Sequence, residues 1–195
     1  TLKGAGDQEV VLEVASGGRA EMQQCHVEGG GHGYVDASAD RDDNSSDDEG
    51  DQPSGAVRVV AGGFLSAKQC TLQSSEGNGL VLLHSGAELM ECTASACGRV
   101  GLYVGERSSL HASHCRADAN RSHNILVVER GKGHLESTRC NGSKKGCGAR
   151  VQGLRAYLLL KNCTTNANGH HGREARYHFA NLVSEFSQSN DNENF

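Results

Sequence analysis

Gly101-Leu-Tyr-Val-Gly-Glu-Arg-Ser-Ser-Leu-His-Ala-Ser-His-Cys115 decides the fold. Its second half alternates apolar Leu110 and Ala112 with polar His111 and Ser113, then turns at His114 to Cys115. Period two is the signature of a strand with one face buried. Its first half, Gly101 to Val104, is a second short apolar segment, separated from the first by a polar bend. The unit recurs. Cys25, Cys70, Cys92, Cys115, Cys140 and Cys163 are 45, 22, 23, 25 and 23 residues apart, the first interval holding one repeat plus an insertion of similar size. Five residues before these cysteines stand Ala20, Leu65, Ala87, Leu110, Leu135 and Leu158, and three before stand Met22, Ala67, Leu89, Ala112, Ser137 and Leu160. The column between them is polar in all but the last unit: Glu21, Ser66, Glu88, His111, Glu136 and Leu159.

Working outward, each unit opens on a further strand, often introduced by Gly or Asn. These are Val10 to Val14, Gly55 to Val59, Gly79 to Leu83, Gly101 to Val104, Asn124 to Val128 and Gly148 to Val151. Each unit therefore reads strand, Gly-rich bend, strand, sharp corner at Cys, strand and an Asn/Gly turn, leaving no room for a helix. About 23 residues in three short strands is what one coil of a parallel β-helix needs, with equivalent residues stacked about 4.8 Å apart. Leucine-rich repeats share the period, but their Leu and Asn signature and their helical segment are missing.

Composition agrees. Twenty-six Gly, one Pro, no Trp and four Phe disfavour helix bundles and the wide interiors of sandwiches or doubly wound sheets. The glycines lack the three-residue period of collagen. A thin solenoid interior accepts Leu, Val, Ala and Cys, and its corners are expected to use Gly or Asn at left-handed angles. Net charge is −5, so no basic footprint marks a nucleic-acid binder. No apolar run is long enough for a membrane span. Eight acids from Asp36 to Asp51 face one Arg41, so the remainder of the chain is slightly basic.

The pattern of Gly101 to Val104 followed by Leu110 to Cys115 resembles the right-handed β-helix repeats of the pectin-lyase-like superfamily, over roughly residues 8 to 170. Handedness is taken from that resemblance. The superfamily holds polysaccharide lyases, glycosidases and epimerases. It also holds non-enzymatic eukaryotic repeats, such as those of F-box-linked ubiquitin-ligase subunits, whose short Cys-containing units are the nearest in character.

The expected architecture is all-β: a right-handed parallel β-helix of about six coils in a single domain, residues 1–186. Ala175, Phe179, Leu182, Val183 and Phe186 fall on one face at helical spacing, which predicts a C-terminal capping helix over 173–186. Residues 187–195 are expected to be a disordered tail, and 36–54 a mobile acidic loop. Within that loop Asp40, Asp42, Asn44 and Asp51 match an EF-hand only in part, and Ser45 and Ser46 precede an acidic run suited to phosphorylation.

The cysteine column reads as buried thiols rather than a metal centre. A ladder spreads sulfurs along a line, there is no C-x-x-C pair, and no metal or other cofactor is expected. Free thiols suggest a reducing, cytoplasmic setting, with the cytoskeleton as one candidate association, against four N-x-S/T sequons at Asn44, Asn120, Asn141 and Asn162. His111 with His114, and His170 with His171, read as surface histidines. On the first strand the outward column runs Glu13, Arg58, Val81, Tyr103, Leu126 and Arg150. Three apolar residues bordered by arginines predict an exposed platform at Arg58, Val81, Tyr103, Leu126 and Arg150, with Tyr103 as anchor for an acidic or polar protein partner. The expected function is that of a non-catalytic protein-interaction or scaffolding domain. Two alternatives stand beside it. In one, the stack of Glu88, His111 and Glu136 serves a carbohydrate-active site. In the other, the solenoid self-associates through its N-terminal end or its C-terminal helix.

Overall fold

The computed structural model describes residues 2–3, 10–29, 53–176, 179–190 and 192. They wind into a parallel β-helix in which each successive coil adds one strand to each of two sheets. The turn that opens before residue 30 runs into the insertion, which lies outside the described residues together with the expectations made for residues 36–52. Two parallel sheets of seven strands carry the coil. The first sheet contains Leu12–Val14, Gly55–Val60, Asn78–Leu83, Leu102–Val104, Ile125–Val128, Ala149–Gln152 and Arg173–Arg176. The second contains Arg19–Gln23, Phe64–Lys68, Gly86–Met90, Ser109–Ser113, Lys132–Glu136, Tyr157–Lys161 and Asn181–Glu185. A third, short sheet holds Leu2–Lys3, His26–Glu28 and Thr71–Gln73, and single bridges prolong it through Thr93, Arg116, Arg139, Thr164 and Gln188.

Like stacks on like because every strand pairs with its equivalent in the next coil. Val57, Leu80, Leu102 and Ile125 form one inward column of the first sheet, and Val59, Leu82, Val104, Val127 and Val151 form the next. All of them are buried. Each fully buried Leu or Val contributes about 2 kcal/mol of transfer free energy. The glycines serve this stacking more than they serve the corners. A side chain at Gly79 would meet the Gly101 carbonyl oxygen at 2.7 Å, and one at Gly101 would meet that of Asn124 at 2.8 Å.

Left-handed backbone is instead supplied by residues with side chains. At the corner before each residue of the ladder, Gln24, Gln69, Glu91, His114, Ser137, Asn162 and Phe186 all have φ between 50° and 55°. Such angles cost about 1–2 kcal/mol in an L-residue. The cost is offset by inter-coil bonding, since Gln69 N donates to Met90 O at 2.9 Å and Glu91 N to Ser113 O at 3.0 Å.

The ladder of thiols has a register that cysteine spacing alone misreads. His111 pairs with Glu88 on one side and with His134 on the other, and Arg116 bridges Arg139. Thr138 therefore takes the rung between Cys115 and Cys163, while Cys140 joins the column of Ala94, Ala117 and Thr165. The offset is two residues, so Cys140 still points inward and is buried. Its origin is local. The next coil gains one residue in the loop before Gly148 and one in the turn before Tyr157.

The C-terminal cap is not a helix, and there is no helix among the described residues. Arg173–Arg176 and Asn181–Glu185 are the last strands of the two large sheets, with Ala175 beside Val151 and Leu182 beside Leu158. The helical spacing was coincidental: Ala175 and Leu182 belong to different sheets, and Phe179 and Phe186 stand at corners, 76% and 89% exposed. The described residues of the expected tail continue the coil as well. Gln188 bridges Thr164, and Asn190 N donates to the Asn166 side chain at 2.8 Å.

Candidate functional site: a basic cleft beside the first sheet

The outward column of the first sheet runs as read, Glu13, Arg58, Val81, Tyr103, Leu126 and Arg150, and it ends on Glu174. It does not form an exposed apolar platform. Val81 is 0% exposed, Leu126 5% and Arg150 4%, while Arg58 and Tyr103 are half-buried. Rungs lie about 4.8 Å apart, so a larger side chain on each side removes the smaller residue between from solvent. Arg58 and Tyr103 flank Val81, and Tyr103 and Arg150 flank Leu126. Arg58 is turned toward Glu13, with its Nη1 3.5 Å from Oε2.

The acid, imidazole, acid stack is altered by the same two-residue offset. Glu88 and His111 are neighbours, but the third position is His134, whose ring meets that of His111 edge-on at 4.8 Å. Glu136 instead pairs in register with Ser113 and Lys161, and the Lys161 ammonium lies 3.3 Å from its carboxylate.

What the column does build, at its last rungs, is one side of a cleft of about 660 Å³. The bends that lead into the first sheet form the other side. Arg99, Arg121 and Lys145 come from the bends of three successive coils, and Arg150, Glu174 and Arg176 from the strands. Five cationic side chains line the cleft against two carboxylates, Glu76 and Glu174, with His123, Cys147 and His170 between them.

The floor is a bonded cluster. His123 and Cys147 are equivalent residues of adjacent coils, just ahead of the first sheet, and Cys147 N donates to His123 Nδ1 at 2.8 Å. With Nδ1 accepting, a neutral His123 carries its proton on Nε2, so the 3.2 Å contact between Nε2 and Arg150 Nη1 sets donor against donor and is not a hydrogen bond. The Cys147 thiol donates to Glu174 Oε2 at 3.2 Å, and Arg176 Nε donates to Glu174 Oε1 at 2.8 Å. Burial, then the Glu174 carboxylate, push the Cys147 thiol up to about 12. Burial acts to raise Glu174, but the Cys147 thiol, Arg150 and Arg176 together hold it below the ordinary glutamate range.

The Arg150 guanidinium is taken from water without being fully bonded. Its Nε and Nη2 have no hydrogen-bond partner, and the nearest Glu174 oxygen is 3.5 Å from Nε. Among the described residues no set of His, Cys, Asp and Glu converges to hold a metal ion. Of these cleft residues the sequence reading names Arg150, as part of the platform, and His170, as a surface histidine. The available signal was the recurrence of Arg99, Arg121 and Lys145 at intervals of 22 and 24 residues, one cation in the bend of each coil.

Residues 55–195 match the model of a family described as the right-handed β-helix region. No curated protein and no solved structure matches the chain.

Proposed function

We propose that this chain, which belongs to the right-handed β-helix family, is a non-catalytic interaction domain that receives an acidic segment of a partner protein in its basic cleft. The observation that carries the reading is the charge balance of the cleft, five cations to two carboxylates, in a chain whose overall charge is negative. A field of one sign confined to a concave, partly desolvated surface attracts ligands of the other sign and orients them on approach. The rigid coil supports the same reading. Arg99, Arg121 and Lys145 come from the bends of three successive coils, so an extended acidic peptide lying across the coils meets a cation from each.

A capped hexaglutamate peptide carrying a fluorophore tests the idea by anisotropy. Binding is expected for the wild type, weakening steeply as salt is raised from 50 to 300 mM, with capped hexaglutamine as the silent control. The double change Arg99→Glu with Arg121→Glu is expected to abolish binding and leave thermal unfolding in place, because both residues lie at the rim. Equal affinity for the glutamate and glutamine peptides would dispose of the proposal.

A further inference from the structure

The last coil differs from the others on its inner face. In the coil before it the inward positions are Ala149, Val151, Leu158, Leu160, Cys163 and Thr165, all withdrawn from solvent. Their partners one rung on are Arg173, Ala175, Leu182, Ser184, Ser187 and Ser189. Polar side chains thus succeed Ala149, Leu160 and Cys163. The change is greatest at Arg173, because the column that leads to it, Val57, Leu80, Leu102, Ile125 and Ala149, is apolar throughout.

The Arg173 side chain lies across the bore. Its Nε donates to Thr165 Oγ1 at 3.2 Å, and its Nη1 donates to the Ser184 hydroxyl. Arg173 stands on the first sheet, Ser184 on the second, and Thr165 just after a bridge of the third face. One guanidinium therefore ties three walls together at the mouth of the apolar interior. Ser187 and Ser189 turn their hydroxyls back to the Leu160 and Thr165 carbonyls, at 3.2 and 3.5 Å. Among the described residues no strand pairs with the outer edges of Arg173–Arg176 and Asn181–Glu185, and open edges of this kind are templates for another chain. A second copy stacking head to tail would set Leu12, Val14, Ala20 and Met22 against this end, since these residues head the inward columns at the other. None of them carries an oxygen or a charge to receive a guanidinium, so the contact would bury an uncompensated cation, which is strongly unfavourable.

We infer that Arg173 is an end-stop: its charge, held across the bore by Thr165 and Ser184, keeps a second copy of this chain from extending both sheets by stacking its first coil on the last. An inward-pointing charge is one of the means by which sheet edges are guarded. The need for it is acute in a solenoid, because a head-to-tail contact between copies does not close and grows into a fibre. The inference is independent of the cleft reading, since Arg173 faces the interior while its neighbour Glu174 faces the cleft.

Sedimentation equilibrium on the full chain, from about 2 to about 200 μM, reads the outcome as weight-average mass, with circular dichroism to confirm the fold. Wild-type mass is expected to stay constant. Arg173→Leu combined with Ser184→Ala makes the last coil apolar inside, and its mass is expected to rise about twofold or more at the highest concentration. Arg173→Lys keeps the charge without the guanidinium and should follow the wild type. A folded apolar variant whose mass equals that of the wild type at every concentration overturns the inference. So does an Arg173→Lys variant that associates as strongly as the apolar one, because charge would then not be the stop. If the double variant loses its β-sheet signal, Arg173→Gln decides alone. It removes the charge and keeps a donor for Ser184, so a rising mass supports the end-stop and an unchanged mass overturns it.

Discussion

Cys115 and Cys147 are both withdrawn from solvent, yet they do different work. The Cys115 thiol, inside the coil, donates to the carbonyl of Ser113 at 3.2 Å, across the left-handed corner at His114. The same bond to the residue two before recurs at Cys25, Cys70, Cys92 and Cys163. Thr138 and Ser187 make it with hydroxyls, at 3.0 and 2.9 Å. The ladder is therefore a column of small corner-bonding donors, and Cys is its commonest member because it combines that bond with apolar packing. Cys147 lies outside the coil and donates to a carboxylate instead. Burial alone says little about a thiol's role here, whereas the acceptor it meets separates shape-keeping from charge-keeping.

Alkali should expose what the two settings share. Burial raises the thiols of Cys70 and Cys163, takes Cys97 to about 11 and, with Glu174, takes Cys147 to about 12. A group whose neutral form is favoured in the fold contributes fully below the ordinary thiol value of 9.0, where both states are protonated. The contribution falls as pH rises above it, because the unfolded chain ionises first. Loss of the β-sheet circular dichroism signal is expected as pH is taken from 9 through 11 to 12, and a signal unchanged across that range would show that the thiols are not so enclosed.

Next in size is the interior itself. Leu102 stands between Leu80 and Ile125 in a column without solvent contact. Leu102→Ala is expected to lower unfolding free energy by about 3 kcal/mol in urea titrations. The thiol ladder should be more forgiving, in a way that isolates its donor. Cys115→Thr copies the residue found at 138 and should be nearly neutral. Cys115→Val, similar in shape but without a donor, should cost about 1.5 kcal/mol. Equal costs would reduce the ladder to packing alone.

Legibility from sequence followed the same division. Period two in Leu110 to Cys115, repeated at near-constant spacing, was enough for the strands, their buried faces and the parallel stacking, because every coil repeats the same instruction. Where one coil gained two residues, cysteine spacing misplaced Cys140 and Glu136 by a full alternation. The inward set survived that error and the outward stack did not, since a two-residue slip preserves the face but changes the neighbour. The last coil is misread as a helix because its strands, Arg173–Arg176 and Asn181–Glu185, are too polar to display alternation. The cleft was nearly invisible, since its members come from bends of separate coils and their convergence depends on register rather than on any local motif.

The smallest expected effect bears on why Arg150 is there at all. A guanidinium with two buried, unbonded nitrogens beside a carboxylate bonded elsewhere is a poor contributor to stability, and replacing such a pair by uncharged groups of similar volume is often neutral or favourable. Arg150→Met combined with Glu174→Gln should therefore raise unfolding free energy by about 1 kcal/mol, read as a shift of the urea midpoint at constant slope. Cys147, freed from the Glu174 carboxylate, should at the same time lose part of its upward shift and react with iodoacetamide at a lower pH. Destabilisation by the double change would mean that the pair holds the last coils of the first sheet together. Stabilisation would mean that the cleft keeps its charge at the expense of the fold, as a surface that has to meet another molecule does.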